Sequence, residues 1–411
     1  MNTNAHSAPL PSGQHRFHTM VKPAGSRCNL DCTYCYYLSK ERLLDQPRSA
    51  RIEDEVLEAH IRQYIEAHPA GEVVFSWQGG EPTLMGLQFF ERVVDLQSRY
   101  AKPGQRIEND LQTNGVLLND AWCSFLKRHN FLVGLSIDGP SSLHDVYRRN
   151  KGNRPTLTRV MAAVRLLRAR KVPFTALCVV NKINAVKPLQ VYRFLRDEVR
   201  PRVIQFIPCV EPVGFRSVSP EDWDWSMLPV TASPQARPGS VEAVVTDWSV
   251  DPEHWGNFLK QIWTEWFRRD YGRVHVDQFE NVISALFGFG SQTCVTAEVC
   301  GHAMALEHNG DLFSCDHFVF PRYKLGNIME ASEGALATSA RQAGFGVAKR
   351  EALTRHCRAC AYLPLCWGGC PKDRFVKAPD LEPGLNYLCP GLKTFYAQVV
   401  SDRHELRNRL A

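Results

Sequence analysis

Long apolar runs are missing from this 411-residue chain. No window approaches eighteen consecutive apolar residues, so neither a membrane-spanning helix nor a membrane partner is expected. The first fifteen residues, Met1 to His15, lack a basic start leading into an apolar stretch and carry Pro9, Pro11 and Gly13. They read as a flexible tail and not as a secretory signal. A dense block of one charge is absent too. Lys and Arg number 49 against 43 Asp and Glu, a formal net charge of +6, but the charges are spread along the chain and imply no nucleic-acid partner. No internal repeat is visible. These absences make the cytoplasm the expected location, where cysteines stay reduced.

Cysteine is what the chain has in plenty, with fourteen residues, several closely spaced. In a reducing compartment such spacings indicate metal sites or redox chemistry before disulfides. With 44% apolar residues the chain can bury a full core, and its length suits one large domain plus a smaller one.

Through the first half, short β-rich runs alternate with helical patterns. Phe17 to Lys22, Val73 to Trp77, Glu108 to Thr113, Leu132 to Ile137, Phe174 to Val180 and Val203 to Pro208 read as strands. Val56, Leu57, His60, Ile61, Tyr64 and Ile65 have the spacing of a helix with one buried face, as do Val160, Val164 and Leu167. Repeated βα units predict an α/β fold with a parallel sheet, either open or closed into a full or partial barrel. Cys28 to Cys35, Gln78 to Pro82, Asn114-Gly115 and Asp138-Gly139 each follow a strand's C-terminal end, the ligand-binding edge of such sheets. After Pro208 the pattern fades into an irregular connection broken by Pro212, Pro220, Pro229, Pro234 and Pro238. A helix is then predicted from Trp255, Phe258, Leu259, Ile262, Trp263, Trp266 and Phe267, and a hairpin around Asn309-Gly310.

Cys28, Cys32 and Cys35 form a C-x3-C-x2-C run on the loop leaving the first strand. On a cubane iron–sulfur cluster, three thiolates leave one iron without a protein ligand, a position that a small molecule can occupy. The spacing also admits zinc with a distant fourth ligand. Eight more cysteines, Cys294, Cys300, Cys315, Cys357, Cys360, Cys366, Cys370 and Cys389, suffice for two fully coordinated four-iron clusters or, equally by spacing, two zinc ribbons. Cys123 and Cys178 read as small core residues, and Cys209 lies just past a strand end.

The triad loop resembles the radical S-adenosylmethionine superfamily, over about residues 17 to 210. The resemblance implies a partial (β/α)6 barrel of TIM-like form, with the cofactor's methionyl group on the open iron and a 5′-deoxyadenosyl radical as its product. Gly79-Gly80-Glu81-Pro82 looks like the segment that meets the methionyl amine, for which backbone carbonyls and a carboxylate are apt partners. Ser136 and Arg148 are similar to the family's carboxylate-binding pair, with Arg149 and Arg159 as rivals to Arg148. Tyr34, Gly80, Ser136, Arg148 and Ile204 correspond to cofactor-contacting positions. The run C-x2-C-x5-C-x3-C from Cys357 to Cys370, with the late Cys389, resembles the SPASM extension of such enzymes. That pattern implies one auxiliary cluster on Cys294, Cys300, Cys315 and Cys370 and a second on Cys357, Cys360, Cys366 and Cys389.

A narrower resemblance, carried by Trp77 to Thr83, Gln112 to Gly115, Ser136 to Gly139, Gln205 to Pro208 and Asn309 to Asp316 and running through Cys389, is to the anaerobic sulfatase-maturating enzymes. It implies oxidation of a Cys or Ser of a sulfatase to Cα-formylglycine, with Asp316 as the catalytic base. The implied cofactors are S-adenosyl-L-methionine and three [4Fe–4S] clusters. The implied partners are the sulfatase polypeptide and an electron donor such as flavodoxin or ferredoxin. The layout expected is a tail over 1–15, the barrel with its irregular connection over 16–252, and a two-cluster C-terminal domain over 253–411. The rival readings are a SPASM-type peptide maturase making thioether or carbon–carbon crosslinks and, in another class, a zinc-stabilised binding module. The Pro-rich stretch after Pro208 departs from the family pattern and bears on which target is accepted.

Overall fold

The computed structural model describes residues 17–47, 49–214, 216, 219 and 222–410, so the tail over 1–15 and Pro220 lie outside the described residues. The six strands expected from sequence are present: β1 (His18–Lys22), β2 (Gly71–Trp77), β3 (Gln105–Thr113), β4 (Leu132–Ser136), β5 (Phe174–Val180) and β6 (Val203–Pro208). They pair in chain order, all parallel. Parallel strands buried on both faces read as apolar runs, and Val73, Phe75 and Trp77 of β2 are fully buried. Helices cover the sheet between strands. That of Asp54–Ala67 turns Val56, Leu57, Ile61, Tyr64 and Ile65 inward, the one-sided spacing that identified it in the sequence.

The sheet does not stop at β6. A two-residue strand, β7 (His275–Val276), extends it on one side. On the other, β8 (Ala303–Glu307) pairs with β1 in parallel, from His18↔Ala303 to Lys22↔Glu307. The hairpin at Asn309-Gly310 then turns β8 into antiparallel β9 (Asp311–Phe313), followed by β10 (Lys324–Asn327). The result is one mixed ten-stranded sheet, in the order β10-β9-β8-β1-β2-β3-β4-β5-β6-β7. C-terminal residues thus complete the sheet that the N-terminal half begins, next to the strand that leads into the cysteine triad.

The predicted aromatic helix spans Pro252–Arg269. Its N-cap is Asp251, whose carboxylate accepts from the amides of Glu253 (2.9 Å) and His254 (3.2 Å). Its buried face lies on the helix Cys389–Ser401. A Cβ on Gly391 would sit 1.8 Å from the Pro252 carbonyl, so only glycine permits that approach. The connection after β6 is irregular as expected, with single turns at Trp225–Met227 and Pro234–Ala236. No helix among the described residues is long and apolar enough to cross a membrane.

Candidate active site

Loops at the C-terminal ends of β1, β2 and β3 are tied into one unit. The amide of Gly80 donates to Gly25 O (2.9 Å) and that of Glu81 to Arg27 O (2.8 Å). A Cβ on Gly80 would lie 1.9 Å from Arg27 O, so the glycine is what lets the two loops touch. Glu81 is fully buried, its carboxylate accepting from Thr83 (amide 3.0 Å, hydroxyl 2.6 Å), Thr113 Oγ1 (2.7 Å) and the Asn114 amide (2.8 Å). The Glu81 carboxylate is therefore a brace inside the protein, and the segment's backbone carbonyls are what it has left for an ammonium group.

The triad sits on this base. Cys28 Sγ accepts from the Leu30 amide (3.3 Å) and Asn114 Nδ2 (3.7 Å), and the Cys35 amide donates to Cys32 O (3.0 Å). Burial pushes the Cys28 and Cys32 thiols up to about 12 and raises Cys35 as well, and Cys35 adds to the rise at both Cys28 and Cys32. Burial thus favours the neutral thiols in the free protein, and a cationic centre such as an iron–sulfur cluster would be what holds all three as thiolates. Asp31 and Thr33 face solvent on the rim of an open cleft of about 870 Å³, which Cys32, Cys35, Arg42 and Arg216 also line.

Behind the triad lies a buried polar group. Tyr34 donates its hydroxyl to Asp138 Oδ2, Arg148 Nε donates to the same oxygen (2.9 Å), and the guanidinium lies over the Tyr34 ring. The Asp138 amide donates to His144 Nδ1 (3.2 Å), so Nε2 carries the proton toward Thr156 Oγ1 (3.1 Å). Burial lowers the His144 pKa to about 4 and keeps the ring neutral. With its hydroxyl committed, Tyr34 has only its ring and backbone free for a cofactor. Ser136 is half-buried at the end of β4, whereas Ile204 is buried in the main apolar core on β6. Of the rivals to Arg148, Arg159 is exposed on a helix and Arg149 is held to Asn153 O (2.9 Å) on an outer turn.

Asp316 lies just past β9 in a short turn over Asp316–Phe318, not on the hairpin strand itself, and it is buried. Oδ1 is ion-paired with the ammonium of Lys22, the last residue of β1, and Oδ2 accepts from the Tyr36 hydroxyl (2.6 Å). Burial works to raise the carboxyl's pKa, but Lys22, His317 and Tyr36 outweigh it and hold it below the ordinary carboxylate range. The β1–β8 pairing brings this ionised carboxylate to the triad loop. Lys22 also lies over the Tyr37 ring, whose hydroxyl donates to Glu307. Sequence reasoning missed Lys22, Tyr36, Tyr37 and Glu307. A lysine ending an otherwise buried strand was the available signal.

The C-terminal cysteines gather in two places. Burial raises the Cys300, Cys315 and Cys370 thiols, and Cys294, an exposed residue, acts electrostatically on all three. Cys357, Cys360, Cys366 and Cys389 line a single pocket, and burial drives Cys366 to about 11 and Cys389 to about 12. Cys123 and Cys178 lie in the core, while Cys209 packs with Leu30, Cys32 and Tyr34 behind the triad.

Three thiols at the ligand edge of a parallel sheet, with cysteine-lined sites beyond, define a radical S-adenosylmethionine protein with an iron–sulfur extension. The model of the radical SAM superfamily matches residues 23–195, and that of the SPASM iron–sulfur cluster-binding domain matches residues 294–361, short of Cys366, Cys370 and Cys389. A serine-type anaerobic sulfatase-maturating enzyme of Bacteroides thetaiotaomicron is 42% identical over 382 residues, 93% of this chain and 89% of that protein. A cysteine-type counterpart from Clostridium perfringens is 31% identical over 381 residues, 92% of this chain and 94% of that protein. The solved structure of native anSMEcpe with bound AdoMet and Cp18Cys peptide superposes with a TM-score of 0.80 at 29% identity, covering 96% of this chain and 99% of that one. The chain belongs to the anaerobic sulfatase-maturating enzymes, and it binds iron–sulfur clusters and S-adenosylmethionine.

Proposed function

We propose that this protein oxidises a Cys or Ser side chain of a sulfatase polypeptide to Cα-formylglycine, using three four-iron clusters. Cys28, Cys32 and Cys35 hold the first. Cys294, Cys300, Cys315 and Cys370 hold the second, and Cys357, Cys360, Cys366 and Cys389 the third. The in-order parallel run β1 to β6 supports a partial (β/α)6 barrel over residues 16–252, with residues 253–411 as the cluster-bearing C-terminal part.

The observation that carries this reading is Asp316, a buried carboxylate delivered beside the triad loop by the β1–β8 pairing, one residue from Cys315. When bound, the triad's cluster with S-adenosylmethionine supplies a radical able to remove a hydrogen atom from the target Cβ, and the auxiliary clusters supply an electron acceptor. Backbone carbonyls at Gly79-Gly80 and the Ser136 and Arg148 side chains orient the cofactor's amino and carboxylate groups, and Tyr34 offers its ring and backbone, while Ile204, buried in the core on β6, supports the site from beneath. Asp316 takes the proton of the thiol or hydroxyl, a group made more acidic by loss of hydrogen from its carbon. Lys22 keeps the base ionised, and Tyr36 fixes its orientation. A thioaldehyde formed from Cys then hydrolyses to the aldehyde.

An acidic one-electron carrier such as flavodoxin or ferredoxin is the proposed donor. From Val146 to Arg196 the chain has thirteen Lys and Arg and no Asp or Glu, a local excess that the overall balance conceals. Its segment Tyr147–Arg154 is bonded to the triad loop, from the Asp31 amide to Arg149 O (2.8 Å) and from the Thr33 amide to Tyr147 O (3.2 Å). Lys151 and Arg154 are exposed there, which suits an acidic partner.

The test is anaerobic incubation of reconstituted protein with S-adenosylmethionine, a reductant, and Cys- and Ser-containing sulfatase peptides, read by mass spectrometry. An aldehyde in either peptide is expected. A thioether or carbon–carbon crosslink without aldehyde would refute the reading.

A further inference from the structure

Two cations lie inside the C-terminal part without a carboxylate beside them. Lys349 is 1% exposed, and its Nζ donates to the carbonyls of Cys294 (2.6 Å), Val295 (2.9 Å) and Ala297. Arg374 is 5% exposed and donates from Nη1 to Lys349 O (2.6 Å), from Nη2 to Trp367 O (2.8 Å) and from Nε to Gly368 O (3.1 Å). Neither joins an ion pair among the described residues; the nearby Asp373 is taken by Lys372 (2.9 Å). Carbonyls satisfy the N–H groups but leave the charge uncompensated, and a full charge out of water is strongly unfavourable without an anion nearby.

Apart from the like charge of Arg374, which acts on Lys349, the groups whose charge bears on these cations are cysteines. Cys300, Cys370 and Cys294 act on Lys349, whereas Cys357, Cys370, Cys366 and Cys300 act on Arg374. The geometry agrees: Lys349 is bonded to the Cys294 carbonyl of the first set, and Arg374 to the carbonyls of Trp367 and Gly368, between Cys366 of the second set and Cys370 of the first. The backbone has been shaped for this. Trp367, Gly368 and Gly369, which link Cys366 of one set to Cys370 of the other, take successive positive φ values of 46°, 70° and 64°. A Cβ on Gly368 would lie 2.7 Å from Arg374 Nη2, so glycine there makes room for the guanidinium.

We infer that Lys349 and Arg374 are built-in counter-ions of the two auxiliary clusters, Lys349 serving the first and Arg374 both, and that they hold the clusters' reduction potentials up. This rests on the reading that each four-cysteine set carries a four-iron cluster. A cluster on four thiolates is anionic and becomes more so on gaining one electron. A buried cation therefore stabilises the reduced form more than the oxidised form, in surroundings that screen little. Higher potentials make the clusters better acceptors of the single electron left on the target carbon after a hydrogen atom and a proton have gone.

The experiment uses the full chain with Cys28, Cys32 and Cys35 changed to Ala, so that only the auxiliary clusters remain, with iron analysis and anaerobic potential titration followed by electron paramagnetic resonance. Arg374→Gln is expected to lower both potentials and Lys349→Gln the first alone, each by at least tenfold in the reduction equilibrium, about 59 mV for one electron. Arg374→Lys and Lys349→Arg keep the charge and should keep both iron and potential. Loss of iron in the Gln variants with full iron in the charge-preserving ones would support the same role. Unchanged potentials at full iron content, or Arg374→Lys behaving like Arg374→Gln, would overturn it. A parent protein lacking two clusters' worth of iron would instead refute the cluster reading itself.

Discussion

Asp316→Asn preserves the shape of the proposed base but not its charge, and the charge matters twice. The carboxylate is the partner of Lys22, which is 1% exposed, and Asp316 itself is only 12% exposed at its side chain. Removing one member of a buried ion pair costs about 3–5 kcal/mol, because the other charge stays buried unpaired. At an m value of about 3 kcal/mol/M, this moves the urea midpoint down by roughly 1–2 M. Separately, a positioned base contributes about two to four powers of ten, so aldehyde formation should fall on that order while 5′-deoxyadenosine still forms. The two effects are separated by adding Lys22→Met, since replacing a buried pair by apolar side chains is often neutral. The double variant is expected to regain most of the midpoint and none of the product. The assay is the ratio of 5′-deoxyadenosine to aldehyde by mass spectrometry, with iron content and anaerobic urea unfolding on the same samples. An unchanged ratio in Asp316→Asn, or product returning in the double variant, would refute the base assignment.

Changing Cys28, Cys32 and Cys35 together to Ala should remove about a third of the iron and all cleavage of S-adenosylmethionine, and cleavage persisting in that variant would move the reactive site elsewhere. Reversing the charge of Lys151 and Arg154 to Glu should slow turnover supported by flavodoxin, with a weakened dependence on salt, while leaving dithionite-driven turnover intact; equal loss with both reductants would argue against a docking role. His144 has a folded-state pKa of about 4 against 6.5, so the unfolded chain binds the extra proton between those values. Its contribution is thus fully present above pH 6.5 and is lost as pH falls toward 4, by ~3 kcal/mol at roughly 1.4 kcal/mol per unit. His144→Gln should flatten the stability profile over that window, and an unaltered slope would mean that the ring is not held neutral.

The six parallel strands, the aromatic helix and the hairpin were legible in the sequence because each rests on local periodicity or a turn pair, which the core then enforces. The triad and the C-terminal cysteine runs stood out because thiols are few, chemically distinctive and, within each run, close together, whereas their division into two sets came from the family resemblance and not from spacing. Several things could not be read so. The pairing of β8 with β1 joins residues almost three hundred positions apart, and no local pattern encodes it. Without it, Asp316 reads as one more aspartate beyond a hairpin. With it, the residue becomes a buried ionised carboxylate beside the triad. Glu81 looked suited to bind a ligand because its loop follows a strand. Its four hydrogen bonds, from Thr83, Thr113 and Asn114, turn it into a brace, because partners across neighbouring loops consume its lone pairs. Lys349 and Arg374 carried no signal, since whether a cation is solvated or buried depends on what the chain folds around it. The sequence by itself determined which atoms can bind metal and which segments form strands and helices, both of which are short-range properties. Only the tertiary structure decided which carboxylate is ionised, which is spent, and which cations lie against the cysteine sites, because charge in a protein is governed by burial and by neighbours distant in sequence.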